Sequence, residues 1–149
     1  MIPTQHLAQY NIARAKADID SDVMSDFRLS LGEINRLADS SPGFVWRLKT
    51  ETGDATDIRP YADQRILITL SVWKSITDFR HFTYHTGHID FLRRRAEWFE
   101  HLEGHNIALW WVSQGTIPTV ADAVARLLLL RSKGPSPQAF DLHHIFECE

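Results

Sequence analysis

The sequence contains a single cysteine, Cys148, close to its C-terminal end. One cysteine excludes an intrachain disulfide and is typical of proteins from a reducing compartment. No apolar run approaches the roughly 20 residues that a membrane-spanning helix requires. The first residues contain neither the basic nor the apolar stretch of a secretory signal peptide. We therefore expect a cytoplasmic protein.

The sequence also lacks an excess of positive charge, with 16 Lys and Arg against 19 Asp and Glu and a formal net charge of −3. Nucleic acids and membranes are therefore not expected as partners, because both are recognised through clustered basic residues. The seven glycines do not cluster into a phosphate-binding loop, and no G-x-S-x-G motif is present. These absences disfavour nucleotide-dependent and hydrolase chemistry.

The spacing of apolar residues predicts one α+β domain over residues 1–149. Apolar and β-branched runs predict strands over 7–14, 44–49, 65–73 and 105–112. Helical spacing predicts a helix from Asp20 or Ser21 to about residue 40, a short helix from Ser75, a helix over 87–103, and a helix from Thr119 to Gly134. Residues 135–149 show little periodicity, so they are expected to form a peripheral C-terminal tail.

This order of elements predicts a ferredoxin-like antiparallel sheet with its helices on one face. The third and fourth predicted strands are apolar on both faces, and Trp110 and Trp111 point in opposite directions. If helices cover only one face, the other needs a second cover, and a second copy of the chain would supply it. The sequence therefore predicts a homodimer.

The segment 84–103 places two polar side chains in an apolar stripe. At helical spacing, His88 and Arg95 share one face with a set of apolar residues: Phe91, Leu92, Phe99 and Leu102. An unpaired charge buried in such a stripe would be costly. Three answers stay open: an internal acid such as Glu33 or Asp39, a partner subunit, or a bound ligand.

Three histidines, His81, His85 and His88, follow the spacing H-x3-H-x2-H, which raises the question of a metal. Gly87 interrupts the predicted helix between them, and no cysteine or acid completes a tetrahedral set at useful spacing. We therefore predict no metal site.

Several motifs together resemble one family. They are SPGFVWRL at 41–48, SVWKS at 71–75, RRRAEWFE at 93–100, LWWV at 109–112 and PTVADAVARL at 118–127. With these motifs the chain resembles domain of unknown function 3291, a family within the dimeric α/β-barrel superfamily. The resemblance implies a ferredoxin-like subunit and a dimer whose sheets face each other. It implies no reaction, because the family has none assigned.

A weaker likeness points to haem-degrading and antibiotic-biosynthesis-type monooxygenases of the same superfamily. In the haem-degrading enzymes an asparagine on the first strand, a tryptophan on a later helix and a histidine iron ligand carry the chemistry. Asn11 and His88 match the first and third positions. Phe82 stands where the tryptophan is expected, and Thr69 stands where the family pattern has an asparagine.

These residues support three hypotheses. The first is an enzyme acting on a hydrophobic aromatic or polyketide-like molecule, either a cofactor-independent monooxygenase or an isomerase or cyclase. Its predicted catalytic residues are His88 as base or donor, with Asn11 and Arg95 as orienting groups. The pocket wall is predicted from aromatic side chains: Tyr84, Trp98, Phe82, Trp46 and Phe91.

The second hypothesis is a non-catalytic dimer that binds haem, through His88, or an apolar metabolite. The third is a structural dimer whose inward polar groups pair internally. No cofactor is expected under the first hypothesis, and haem belongs to the second.

Overall fold

The structure, a computed structural model, describes residues 5–51, 53–85 and 88–148, and at His88 it describes the backbone alone. The elements are β1 (Gln5–Ala15), α1 (Ser25–Asp39), β2 (Phe44–Arg47), β3 (Ile66–Trp73), α2 (Ile76–His85), α3 (His88–Arg93), α4 (Arg95–Trp98), β4 (Phe99–Glu100), β5 (Ile107–Ser113) and α5 (Val120–Lys133). No described helix has the length and apolar character needed to cross a membrane.

The five strands form one open, antiparallel sheet with β1 at its centre. One side of β1 pairs with β3, which in turn pairs with the edge strand β2. The other side pairs with β5 along residues 5–11 and with the two-residue β4 at Arg14 and Ala15. The four long strands thus follow the order of a ferredoxin-like fold, which confirms the predicted α+β class.

The two faces of the sheet are covered by different helices. Side chains alternate along a strand, so Ala8, Tyr10 and Ile12 of β1 share one face, and they pack against α5. Leu7 lies on the opposite face, in a cluster with residues of α1 and α2. The prediction that helices cover only one face is therefore wrong. The helix that follows the last strand folds back over the face that was expected to need a second copy.

Helix α5 begins and ends as its sequence predicts. Thr119 and Asp122 form a capping box, and Gly134, at φ 76°, ends the helix in a conformation that favours glycine. Its buried side chains are Ala123, Leu127 and Leu130. Leu128, next to Leu127, is on the outer side of the helix and is 65% exposed.

The predicted helix over 87–103 is interrupted at Arg94, a turn residue between α3 and α4. After Trp98 the chain becomes extended, and Phe99 pairs with Ala15 at the end of β1. This pairing is a long-range contact that helical spacing cannot reveal. The predicted stripe is split as a result: Phe91 and Phe99 pack with α1, whereas Leu102 packs on the α5 side of the sheet.

The C-terminal segment is more than a peripheral tail. Ala139 and Phe140 are fully buried, and Phe140 exchanges two backbone hydrogen bonds with Leu109 of β5, at 2.8 and 2.9 Å. Short, aperiodic segments of this kind carry no amphipathic pattern, so their burial depends on backbone pairing with a distant strand. The expectation of a surface tail over 135–149 does not hold for this part.

Candidate functional site

A cavity of about 520 Å³ lies between the sheet and helices α1, α2 and α3. On this face the buried side chains form two separate apolar clusters rather than one. The first includes Leu7, Trp73 and Phe82, and the second includes Ala15, Phe27 and Trp98. The cavity occupies the region between them, in the size range of small-molecule binding sites.

The floor of the cavity is a polar patch in the middle of the sheet. It consists of Gln9 and Asn11 of β1 and their register partners Ser71 and Thr69 of β3. Thr69 is exposed although it lies between two central strands. A side chain at such a position is normally covered by a helix, so its exposure shows that the space above it is open.

Two hydrogen bonds join residues of the floor, and a third reaches the floor from Trp73. Gln9 Nε2 donates to Ser71 Oγ at 2.9 Å and to Thr69 Oγ1 at 3.3 Å. The indole Nε1 of Trp73 also donates to Ser71 Oγ, at 2.9 Å. Gln9 and Ser71 are buried, at 5% and 8% exposure, so these bonds hold both side chains in place.

Asn11 differs from its neighbours on the floor. It is half-buried and lines the cavity, yet its side chain makes no hydrogen bond to any residue that the structure describes. Buried polar groups are normally paired. The free carboxamide of Asn11 is therefore available to a ligand or to water inside the cavity.

The walls of the cavity are apolar. Helix α1 contributes Phe27, Leu31 and Ile34, while Phe82 of α2 and Phe91 of α3 add aromatic rings. Asn35 of α1 and Thr83 of α2 add polar atoms at the wall. Apolar walls around a few polar groups are typical of sites that bind largely apolar small molecules.

Arg95 lines the cavity as an exposed residue, rather than as a buried member of an apolar stripe. It forms no ion pair within the described part of the chain. The acids proposed for it do not reach it: Asp39 pairs with Arg47 at 2.7 Å, and Glu33 is exposed without an ion pair there. A free guanidinium at a cavity can bind an anionic group of a ligand.

The neighbouring Arg94 contrasts with Arg95. Its guanidinium pairs with Glu97 at 2.9 Å and Asp26 at 3.0 Å and lies over the ring of Trp98, 4.7 Å from its centroid. The hydrogen bonds that Arg94 donates to Glu97 and then to Asp26 raise the pKa of Arg94, and Arg94 in turn lowers the pKa of Glu97. Arg94 is therefore held by protein groups, and among the described residues Arg95 has no such partner.

Among the predicted wall residues, the structure brings Phe82, Phe91 and Tyr84 to the cavity, and Tyr84 is 44% exposed. The two tryptophans are placed elsewhere. Trp98 is 2% exposed inside the cluster around Phe27 and does not line the cavity. Trp46 lies on the α5 side of the sheet, because a register shift between residues 44 and 46 changes the face.

His88 is the first residue of α3, and its side chain lies outside the described residues, so its predicted role is not tested. His81 and His85 are exposed and stack on each other with centroids 5.7 Å apart. The described residues contain no group of three or more His, Cys, Asp or Glu side chains arranged to hold a metal ion.

A second polar cluster lies at the edge of the cavity, in the C-terminal segment. Asp141 is 6% exposed, and its carboxylate contacts Nδ1 of His144 at 3.0 Å and Nδ1 of His105 at 3.2 Å. Burial acts to raise the pKa of Asp141, but the hydrogen bonds from His144 and the backbone N–H of His143 outweigh it and lower that pKa. The carboxylate thus stays charged.

Sequence reasoning missed Gln9, Ser71 and Thr69 as site residues. A signal was present, because alternate positions on both strands are polar, 9 and 11 on β1 and 69 and 71 on β3. The pattern alone is equally typical of a solvent-facing sheet surface. Only the register of β1 against β3 brings the four side chains together.

A family model described as Domain of unknown function (DUF3291) matches residues 6–149. The chain belongs to this family. A comparison with curated protein sequences gives no match for this DUF3291 protein.

Solved structures give remote likenesses. A protein of unknown function from Nitrosomonas europaea is 10% identical, over 78% of this chain and 95% of that one, with a TM-score of 0.49. A Pseudomonas aeruginosa protein is 9% identical over 78% and 99%, also at 0.49. A second N. europaea protein, provisionally described as an antibiotic biosynthesis monooxygenase, is 14% identical over 76% and 91%, at 0.45.

Proposed function

We propose that this DUF3291 protein is an enzyme that binds a flat, largely apolar molecule in the cavity and oxygenates it without a cofactor. One observation carries the proposal: the centre of a sheet face holds polar side chains that a helix could have covered but does not. Asn11 has no side-chain partner among the described residues, and Thr69 is exposed between apolar walls. Such an arrangement reduces packing, which is typical of functional sites.

The proposed reaction needs an acidic CH2 group that is conjugated through an aromatic ring with a carbonyl. A base removes a proton from that carbon, the carbanion reduces dioxygen, and the new C–O bond gives a hydroperoxide. Loss of water from the hydroperoxide then leaves a second carbonyl. The substrate supplies all the electrons, so no separate reductant is required. In this proposal His88 is the base, while Asn11 and Arg95 stabilise the negative oxygen.

A direct test measures dioxygen uptake with 9(10H)-anthracenone, a flat ketone with an acidic CH2 group. We expect uptake above the spontaneous rate, reduced about tenfold or more in Asn11→Ala, because loss of one oxyanion donor has effects of at least this size. Gln114→Ala, at an exposed turn residue after β5, is the matched control and should retain the rate. Uptake equal to the spontaneous rate would overturn the oxygenase proposal. Conversion of the probe without uptake would favour an isomerase or cyclase.

The guanidinium of Arg95, which has no ion pair with a described residue, favours a second candidate, a protein that holds a carboxylate-bearing apolar molecule without turnover. Haem fits this description, since Arg95 would bind a propionate and His88 would be the iron ligand. Titration with haem tests it: a Soret shift that saturates in the parent protein and is lost in His88→Ala supports binding. An unchanged Soret band removes haem from consideration.

A further inference from the structure

We propose that Gln9 is a positioning residue that turns the cavity floor into a hydrogen-bond donor surface, so that the site selects ligands with a bare acceptor oxygen, a carbonyl or an enolate. This inference rests on the proposed function insofar as the ligand occupies the cavity. It goes beyond that function because it specifies the polar group of the ligand and assigns a role to three residues, Gln9, Ser71 and Thr69.

The hydroxyl oxygen of Ser71 already accepts as many hydrogen bonds as it can. A hydroxyl group has one hydrogen to donate and two lone pairs that accept. Ser71 Oγ accepts from Gln9 Nε2 and from Trp73 Nε1, both at 2.9 Å, so both lone pairs are in use. The one remaining function of the Ser71 hydroxyl is to donate its hydrogen.

The hydroxyl of Thr69 has a hydrogen that the Gln9 nitrogen cannot accept. Its Oγ1 accepts from the same Gln9 nitrogen, which thereby uses both of its hydrogens. An amide nitrogen cannot accept a bond in return, so the Thr69 hydrogen has no partner on Gln9 Nε2. Thr69 is exposed to the open space above the sheet, and both Thr69 and Ser71 line the cavity. Thr69 is therefore a donor to whatever occupies the cavity.

The indole of Trp73 is fixed in its position by its neighbours. Trp73 is 1% exposed, stacks on Phe82 with centroids 5.1 Å apart, and meets Phe44 edge-on at 5.5 Å. These contacts hold its N–H on Ser71, because an indole nitrogen only donates. Trp73 thus fills one lone pair of Ser71, Gln9 fills the second, and no lone pair of Ser71 is left for a donor group of the ligand.

The ligand group that fits such a floor is an oxygen with lone pairs and no hydrogen. A hydrogen of an amine or hydroxyl group would find no free lone pair on the Ser71 oxygen and only one on the Thr69 oxygen. Asn11 lies beside them on the same strand as Gln9, and its carboxamide, which has no partner among the described side chains, can either donate or accept. The selectivity therefore depends on Gln9 rather than on Asn11.

The experiment uses two probes with one skeleton, 9-fluorenone with a carbonyl and fluorene with a CH2 group in its place. Affinities come from tryptophan fluorescence titration, and the carbonyl stretch of bound 9-fluorenone comes from infrared difference spectra. We expect the parent protein to bind 9-fluorenone about tenfold more tightly than fluorene, as one or two additional hydrogen bonds imply. We also expect the carbonyl stretch to fall when the ketone binds.

Gln9→Glu is the central variant, because a carboxylate of the same shape accepts both hydroxyl hydrogens and withdraws them from the cavity. It should lose the preference for 9-fluorenone over fluorene and return the carbonyl stretch to a higher frequency. Thr69→Val should do the same in part, and Thr69→Ser should restore the parent values. Thr69 is exposed, so this pair decides the question even if Gln9→Glu fails to fold.

The two proposals fail in different ways. If the parent protein binds neither probe, the cavity is not a site for flat apolar molecules, and the proposed function fails. If it binds both probes equally, or keeps its preference and carbonyl frequency in Gln9→Glu and Thr69→Val, the donor floor is overturned while the proposed binding site stands.

Discussion

The two faces of the sheet share the same strands but differ in how their polar groups are satisfied. On the α5 face the side chains form one continuous cluster, and its buried hydroxyl is paired: Tyr10 is fully buried and bonds to Tyr61 at 3.0 Å. Burial, followed by this bond, raises the pKa of Tyr10 and keeps the phenol neutral. On the other face the apolar core is split, and Asn11, the next residue along β1, has no side-chain partner in the described part of the chain.

The two faces of the sheet therefore differ in what they contribute, one to stability and the other to the cavity. The α5 face is packed mainly with apolar side chains that form one continuous cluster, which favours stability. The opposite face gives up part of its packing around four polar side chains. Substitutions on the two faces should therefore have opposite signatures, large for folding on one and large for binding on the other.

The largest effect is expected for Leu127→Ala on the α5 face. Leu127 is 2% exposed, so its truncation leaves a cavity in the core and should reduce the free energy of unfolding by about 2–5 kcal/mol. Leu128→Ala, one residue further and 65% exposed, is the matched control and should change it by less than about 0.5 kcal/mol. Urea unfolding measures both. Similar losses for the two variants would contradict the packing described for α5.

A smaller effect is expected for the buried acid at the cavity edge. Asp141 has a lowered pKa in the folded protein, so its charged form contributes stability above the unfolded pKa near 4, and that stability is lost as the pH falls through the lower folded value. Asp141→Asn should reduce the free energy of unfolding by about 1–3 kcal/mol at pH 7. The parent and variant should converge between pH 4 and lower values. A difference independent of pH over this range would argue against the assignment.

On the cavity face, Asn11→Leu should be neutral for folding or stabilise it by up to about 1 kcal/mol, because an unpaired polar group is replaced by an apolar one. The same change should weaken 9-fluorenone binding by about tenfold. Thermal unfolding and fluorescence titration on one preparation give both numbers. A clear loss of stability would mean that the Asn11 side chain supports the fold.

The smallest effect on folding is expected at the two adjacent arginines. Arg95→Ala should leave the unfolding midpoint unchanged, since Arg95 has no ion pair with a described residue, and it should weaken binding of 9-fluorenone-2-carboxylate but not of 9-fluorenone. Arg94→Ala should lower the midpoint slightly, because it removes contacts to Asp26, Glu97 and Trp98. Equal effects of the two variants on binding of the carboxylate would contradict the proposal that Arg95, and not Arg94, binds the ligand.

The homodimer stays a prediction, although the sheet has no uncovered face that requires a second copy. The face expected to need a second copy is covered by α5, so a dimer would have to use another surface. Two apolar residues are exposed here: Ile117, before the helix, at 58%, and Leu128, within it, at 65%. Sedimentation velocity should give a dimer for the parent protein and a monomer for Leu128→Glu if α5 is that surface.

Much of the fold could be predicted from the sequence, because its signals are local. Alternation on β1 and β3, the capping box at Thr119 and the stop at Gly134 each act within a few residues. The face chosen by α5, the break at Arg94 and the burial of Phe140 could not be predicted. Each depends on pairing or packing with residues far along the chain.

The site could be predicted only in part for the same reason. Asn11, Phe82 and Phe91 reach the cavity as expected, and Arg95 reaches it as an exposed residue. Trp46 and Trp98 do not line it. A register shift in β2 moves the first to the other face, and the short α4 places the second in the core. The sequence contains both tryptophans but not the backbone geometry that directs them.

The most direct test of the difference between the faces is an NMR titration of the parent protein with 9-fluorenone, followed at side chains of both faces. We predict saturating shifts of the Thr69 methyl and Asn11 carboxamide signals, with the Ala8 and Leu127 methyl signals unmoved. Shifts confined to the α5 face, or no shift at Thr69 at any probe concentration, would contradict a ligand site on the polar floor.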